Sequence, residues 1–204
     1  MYKKPVIVFE GIESSGKTLY INFVSKYLKK KKIDYLKIRE PGGSFNSEKI
    51  RKLILNNKSN FKENTDLLLY LAARSENIEM LRKDFNKKVI LIDRFTDSTL
   101  AYQHYGQGIN FSFIKKLNDY LLNDFKITFT FLNIVNKNNM IKRLKKRKKL
   151  DRYDKFKNEF YEKVQKGFLK LLKKNPKKYQ LVDSNLDISF NKKMIINKIQ
   201  KLLK

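Results

Sequence analysis

Eight consecutive residues, Gly11-Ile12-Glu13-Ser14-Ser15-Gly16-Lys17-Thr18, have the types and spacing to hold a chain of phosphates. Glycines let successive backbone N–H groups converge on phosphate oxygens, and the N-terminus of a following helix adds partial positive charge. In the pattern G-x-x-x-x-G-K-[ST] the lysine reaches the β- and γ-phosphates and the hydroxyl residue ligates magnesium. Those two positions are Lys17 and Thr18. The loop follows an apolar run, Val6 to Phe9, and opens a helical pattern from Lys17 to about Lys30, which is the context the motif needs. A second acid completes such sites. Asp93 ends another apolar run, Val89 to Ile92, and is expected to hold Mg²⁺ with Thr18, directly or through water.

The elements that must position these groups alternate between strand and helix. Strands are expected at Val6–Phe9, Asp34–Ile38, Val89–Ile92, Ile127–Leu132 and Tyr179–Val182. Helices are expected at Lys17–Lys30, Ser47–Asn56, Thr65–Phe85, Phe111–Asp124, Lys137–Lys149, Asn158–Lys173 and Lys192–Leu203. The order implies an α/β fold with a five-stranded parallel sheet flanked by helices. Ligands in such sheets bind beyond the carboxyl ends of the strands, where the loop and Asp93 both fall. Neither a repeat nor a linker divides the chain, so residues 1–204 read as one domain. Lys142 to Asp154 is the most charged stretch and reads as a mobile segment.

Further motifs narrow the chemistry. Beyond Glu13 in the phosphate loop, the chain carries Arg39-Glu40-Pro41-Gly42-Gly43. Asp93-Arg94 is followed by Ser98, Ala101, Tyr102 and Gln103, and the basic stretch carries Arg143, Arg147 and Leu150-Asp151-Arg152. In these segments, in this order and over nearly the whole length, the chain resembles the bacterial thymidylate kinases.

The resemblance implies a P-loop nucleoside monophosphate kinase fold and transfer of the γ-phosphate of ATP to dTMP, with Mg²⁺. It implies that Glu13 accepts the 3′-OH of the sugar and that Arg94 clamps the acceptor phosphate and the transferring group. Arg74 would hydrogen-bond the thymine ring and Tyr70 would stack on it; their i, i+4 spacing puts both on one helix face. Ser98 belongs to the same substrate set, Thr99 and Gln103 would address the base edge, and Tyr102 would lie under the sugar. Arg51 would lie near the acceptor phosphate. Arg147 and Arg152 would close over the phosphates from a lid at about 142–154, with Arg143 on the ATP side. The resemblance also implies a homodimer through helices packed side by side. The chain departs from many relatives in having Ser14-Ser15 where small Gly-Ala residues are common, and Tyr70 in place of Phe.

Composition sets the remaining bounds. The 204 residues are 41% hydrophobic and 13% aromatic, as in a globular protein, and contain no cysteine, which excludes disulfides and thiolate chemistry. No apolar run approaches the roughly 20 residues that span a bilayer. The chain therefore reads as soluble and cytoplasmic, with Met1 to Pro5 leading directly into the first strand. The net charge of +27 suggests a polyanion partner, yet most of it is lysine on solvated faces, and nucleic acid is not the expected ligand. Two rival readings stand beside the main one: a kinase for another nucleoside monophosphate or a nucleoside, and a non-enzymatic nucleic-acid-binding protein. The single histidine, His104, has no nucleophile to serve. None is needed, because a monoester phosphate with a second pKa of about 6 is already largely dianionic at neutral pH.

Overall fold

The computed structural model describes residues 4–204; residues 1–3, read above as the lead into the first strand, lie outside it. Five strands form one sheet: β1 (Val6–Gly11), β2 (Tyr35–Arg39), β3 (Val89–Asp93), β4 (Phe129–Ile134) and β5 (Tyr179–Asp183). All pairings are parallel and the order is β2-β3-β1-β4-β5, so β1 is central. Among the described residues the α-helices are α1 (Lys17–Lys30), α2 (Phe45–Leu55), α3 (Glu63–Asp84), α4 (Thr96–Thr99), α5 (Phe111–Leu122), α6 (Lys137–Lys145), α7 (Asn158–Lys174) and α8 (Ile188–Leu203). No helix among the described residues is long and apolar enough to cross a membrane.

Strand alternation divides β1 between two cores. Ile7 and Phe9 face α1 and α8, packing with Val24, Leu28, Phe131 and Ile195. Val6 and Val8 face the other way, with Ile78 and Leu81 of α3. Because both faces are covered, the central strands read as unbroken apolar runs. The registers Phe9↔Asp93 and Gly11↔Asn133 bring the carboxyl ends of β1, β3 and β4 level. Gly11 is fixed as glycine by this packing: its φ is +138°, and a Cβ there would lie 2.1 Å from the Asn133 carbonyl oxygen.

The strand and helix order matches the sequence reading, but α8 starts at Ile188 where Lys192 was expected, and there are two further departures. Residues 94–110, given no element from the sequence, hold α4 and a π-helical segment, Leu100–Gly106. A π-helix has more residues per turn than the 3.6 spacing that reveals an α-helix, so its apolar period is hidden. The second difference is α6, expected to reach Lys149 but ending at Lys145. Beyond it Asp154 turns the chain back, accepting from Arg147 and from the Asp151 backbone N–H (3.1 Å), and a 3₁₀ turn follows at Tyr153–Lys155.

Candidate active site

Two cavities open at the carboxyl ends of the strands, one on each side of the phosphate loop. The first, about 240 Å³, lies between Lys17 and the Tyr70–Arg74 face of α3. The second lies against Ser14, Gly16, Leu19, Arg143, Ser184 and Ile188. Lys17, Thr18 and Arg147 line both. The loop and the α3 face thus open on one space.

The phosphate loop is built as its sequence predicts. Ser14 and Gly16 take left-handed backbone, with φ of +57° and +88°. Ser184 fixes the loop from β5's end by donating its hydroxyl to the Ser15 carbonyl. Lys17 Nζ donates to the carbonyls of Gly11 (3.0 Å) and Ile12 (2.7 Å), within the loop it is to serve. Burial, with the Arg94 cation behind it, pushes the Lys17 ammonium down to about 7. The anionic oxygens of a triphosphate would supply the compensation that this ammonium lacks. Gly11, Ile12 and Ser15 line neither cavity; their part is backbone, and the Ile12 side chain is core. Arg143 is anchored beside the second cavity by the carbonyls of Ser14 (3.0 Å) and Ser184 (2.7 Å).

Asp93 accepts from the Thr18 hydroxyl at 3.1 Å, which puts two hard oxygen donors side by side where the two cavities meet. Magnesium retains several waters and binds through one or two protein oxygens plus phosphate, and this pair fits that requirement. Among the described residues no cluster of three or more acids and histidines offers an all-protein cage.

Arg94 is the centre of the first cavity. Its Nη1 donates to the Gly11 carbonyl (2.8 Å) and the Tyr102 hydroxyl (3.2 Å), and its Nη2 pairs with Glu13 at 2.7 Å. Burial works against the Arg94 charge, but Tyr102, Glu13, Asp93 and Glu10 outweigh it and hold the guanidinium firmly protonated. Glu13 also accepts from the Tyr102 hydroxyl, so both its oxygens are engaged. Glu13 and Tyr102 lie together where the resemblance puts the sugar.

The far end of the cavity is fully buried polar structure. Arg74, 1% exposed, gives its Nε to Glu40 (2.8 Å) and its Nη1 to Asn118 (2.5 Å). Asn77 completes the group by donating to Glu40 (3.2 Å) and to the Gly42 carbonyl (2.7 Å). Gln103, also 1% exposed, lines the same wall with an Nε2 that has no partner. A buried donor without an acceptor is costly, and this one belongs to a residue that lines the same cavity as Arg74. Thr99 and Gln103 are therefore wall residues and not helix surface. Tyr70 meets Tyr153 edge-on, with centroids 5.9 Å apart.

The remaining residues singled out in the sequence are placed as follows. Arg152 lines neither cavity. It pairs with the buried Asp66 of α3 and lies over the Phe61 and Tyr153 rings, so in this structure it ties the 142–154 segment to α3. Arg51 lines the first cavity with its Nη1 on the Pro41 carbonyl (2.6 Å). Ser98 lines it too, with its hydroxyl given to Glu10. His104 bonds the Ile109 carbonyl at 2.7 Å, a loop brace outside both cavities. Sequence reasoning gave no role to Arg39, Glu40, Asp151 or Tyr153, all of which line the first cavity. The signal for Arg39 and Glu40 was present, in a charged pair closing a strand before Pro-Gly-Gly. Nothing in the local pattern marked Tyr153.

Comparison with known proteins accords with this geometry. The thymidylate kinase family model matches residues 9–195. The chain is 31% identical over 203 residues to the thymidylate kinase of Kosmotoga olearia, covering 97% of this chain and 96% of that one. It is 40% identical over 169 residues to the thymidylate kinase of Thermosipho africanus, covering 82% and 84%. The crystal structure of a thymidylate kinase from Ehrlichia chaffeensis superposes with a TM-score of 0.78 at 32% identity, over 97% of this chain and 99% of that one. By its sequence, its sheet order and the cavity between phosphate loop and α3, the chain belongs to the thymidylate kinase family.

Proposed function

We propose that this chain transfers the γ-phosphate of ATP to dTMP, giving dTDP and ADP, with the triphosphate in the second cavity and the monophosphate in the first. One observation carries the transfer between them: Lys17, Thr18 and Arg147 border both cavities, so a phosphoryl group passing from one to the other stays within one set of cations, while Glu13, Tyr70, Arg74 and Tyr102 on the first alone support it as the acceptor side. Thr18 and Asp93 would hold Mg²⁺, which supplies charge neutralisation to the phosphates when bound.

The protein's own task is alignment and charge. Lys17 and Arg94 face the transferring group from the loop and the acceptor side, and a well-placed arginine is worth roughly 10³–10⁵ in such transfers. No side chain need remove a proton, because the acceptor phosphate arrives dianionic. Arg39 and Arg51 border the acceptor end and add to its positive field. Glu13 and Tyr102 address the sugar; Tyr70, Arg74, Thr99 and Gln103 address the base. Arg147 is the lid arginine that serves the phosphates, and Arg143 the one that serves the donor. The whole chain acts as one domain and as a homodimer, a reading supported by the exposed Phe45 and Leu53 on α2 and Leu68 on α3.

Initial rates with dTMP, dUMP, dCMP, dGMP and AMP under saturating Mg·ATP test the assignment. dTMP is expected to lead. Equal or greater turnover of a purine monophosphate would end the proposal.

A further inference from the structure

Glu10 is the penultimate residue of β1, 1% exposed, in a strand whose other side chains are apolar. A buried carboxylate is expensive unless its oxygens are satisfied. All of its hydrogen bonds run to a single turn. Oε1 accepts from the backbone N–H of Phe95 (2.8 Å) and of Ser98 (3.1 Å), and Oε2 accepts from the Ser98 hydroxyl (2.5 Å). The turn itself offers no capping side chain: α4 begins after Phe95, which has none to give. A carboxylate on the neighbouring strand does the work that Ser, Thr or Asp does from within a helix.

That turn holds Arg94. Its φ is +67°, in the left-handed region, which costs a non-glycine residue roughly 1–2 kcal/mol and persists only where the surroundings over-determine it. The backbone is pinned on both sides: the Arg94 N–H donates to the Phe9 carbonyl at 3.0 Å, and the next N–H, of Phe95, donates to Glu10. Ser98 forms a second link, its hydroxyl lying between Glu10 and Arg94 Nη1 (3.5 Å). The next residue of the strand, Gly11, receives the Arg94 guanidinium on its carbonyl. One dipeptide of β1 thus fixes the backbone of Arg94 through Glu10 and its side chain through Gly11.

We infer that Glu10 is a positioning residue for phosphoryl transfer, holding Arg94 in its productive conformation through the Phe95 and Ser98 amides and the Ser98 hydroxyl. The role is geometric. A neutral side chain of the same shape accepts the same two amides and keeps the turn, whereas a shorter one cannot reach it, whatever its charge. The inference rests on Arg94 as the phosphate clamp.

The test is steady-state kinetics of Glu10→Gln, Glu10→Asp, Glu10→Ala, Arg94→Ala and the Glu10→Ala/Arg94→Ala double variant, each below its melting temperature. Glu10→Ala and Glu10→Asp are expected to lose about 100-fold in kcat, with KM for ATP within about threefold of the parent. Glu10→Gln should recover to within about tenfold of the parent rate. The double variant should be no slower than Arg94→Ala, since two groups acting as one unit are not additive. Multiplicative losses would show that Glu10 acts apart from Arg94 and would overturn the inference. So would a Glu10→Asp enzyme of parental kcat with only a lowered melting temperature, or a Glu10→Gln enzyme as slow as Glu10→Asp. If Glu10→Ala does not fold, the Gln and Asp pair decides alone. An Arg94→Ala enzyme of normal kcat would instead remove the clamp reading itself.

Discussion

The two cavities flanking the phosphate loop are made differently. The acceptor side is walled by fixed polar groups: Arg74 locked on Glu40 and Asn118, Arg94 locked on Glu13, Gly11 and Tyr102. Most of these lie out of solvent before any ligand arrives. The donor side is bordered by Leu19 and Ile188, 44% and 49% exposed, and by one anchored arginine. A preorganised polar wall discriminates strongly, because a wrong ligand leaves buried groups unpaired, while an apolar rim discriminates weakly. On the proposed assignment of sides, selectivity is concentrated on the acceptor, and the donor is held mainly by its phosphates.

The largest effect is expected where the two sides meet. Lys17→Ala should lower kcat by at least about 10³-fold without loss of fold, measured by coupled ADP release and circular dichroism; near-parental turnover would remove the loop from the chemistry. The lid arginines divide next. Arg147→Met, altering a residue that borders both cavities, should lower kcat by about 100-fold, whereas Arg152→Met should lower it less than tenfold and act chiefly on stability. Reversal of that order would return Arg152 to the phosphates.

The comparison sharpens with one truncation on each side. Tyr70→Ala should raise KM for dTMP about 30-fold and leave KM for ATP unchanged, as expected for a lost aromatic face. Ile188→Ala should raise KM for ATP by only about threefold. Comparable effects would mean that the donor base is read as closely as the acceptor base.

A further effect concerns pH. Burial, aided by the neighbouring Asp97 carboxylate, raises Glu10 to about 7 against an ordinary 4.5, opposed by Ser98, the Phe95 amide and Arg94. Asp97, itself bonded to the Tyr179 hydroxyl (2.6 Å), is raised as well by burial. A carboxyl that is more basic in the folded state binds a proton on folding. Its stabilising protonation is complete below pH 4.5 and is lost as pH rises through 7. Melting curves of the parent and Glu10→Gln should therefore diverge in favour of Gln by about 1–2 kcal/mol between pH 5 and 8. A pH-independent difference would contradict the raised carboxyl.

Much of this was legible because the fold announces itself in unbroken apolar strands and in a loop whose residue types allow few alternatives. Gly11 to Thr18 and Asp93 were found that way and Arg94 through the family resemblance, and the structure ties them together where the two cavities meet. What escaped was whatever acts through space and not through local pattern. Glu10 reads as a stray charge in a strand until Phe95 and Ser98 are brought to it. Tyr153 lies in a stretch dominated by lysine, and only the fold reveals that its hydroxyl reaches Asp66 (2.9 Å) and its ring reaches Tyr70. Arg152 has the residue type of a phosphate ligand, but a carboxylate on α3 was nearer.

The Arg74 cluster bears on how such an enzyme can change. Arg74, Glu40, Asn77 and Asn118 come from α3, the segment after β2, and α5, and they brace one another out of solvent. Removing one member of a buried ion pair strands the other at roughly 3–5 kcal/mol, a large part of a typical domain's stability. On the proposed role of Arg74 at the base, a lineage drifting toward a new acceptor could not alter this arginine alone without risking collapse, so that preference is shielded from single-step change by the architecture that holds it.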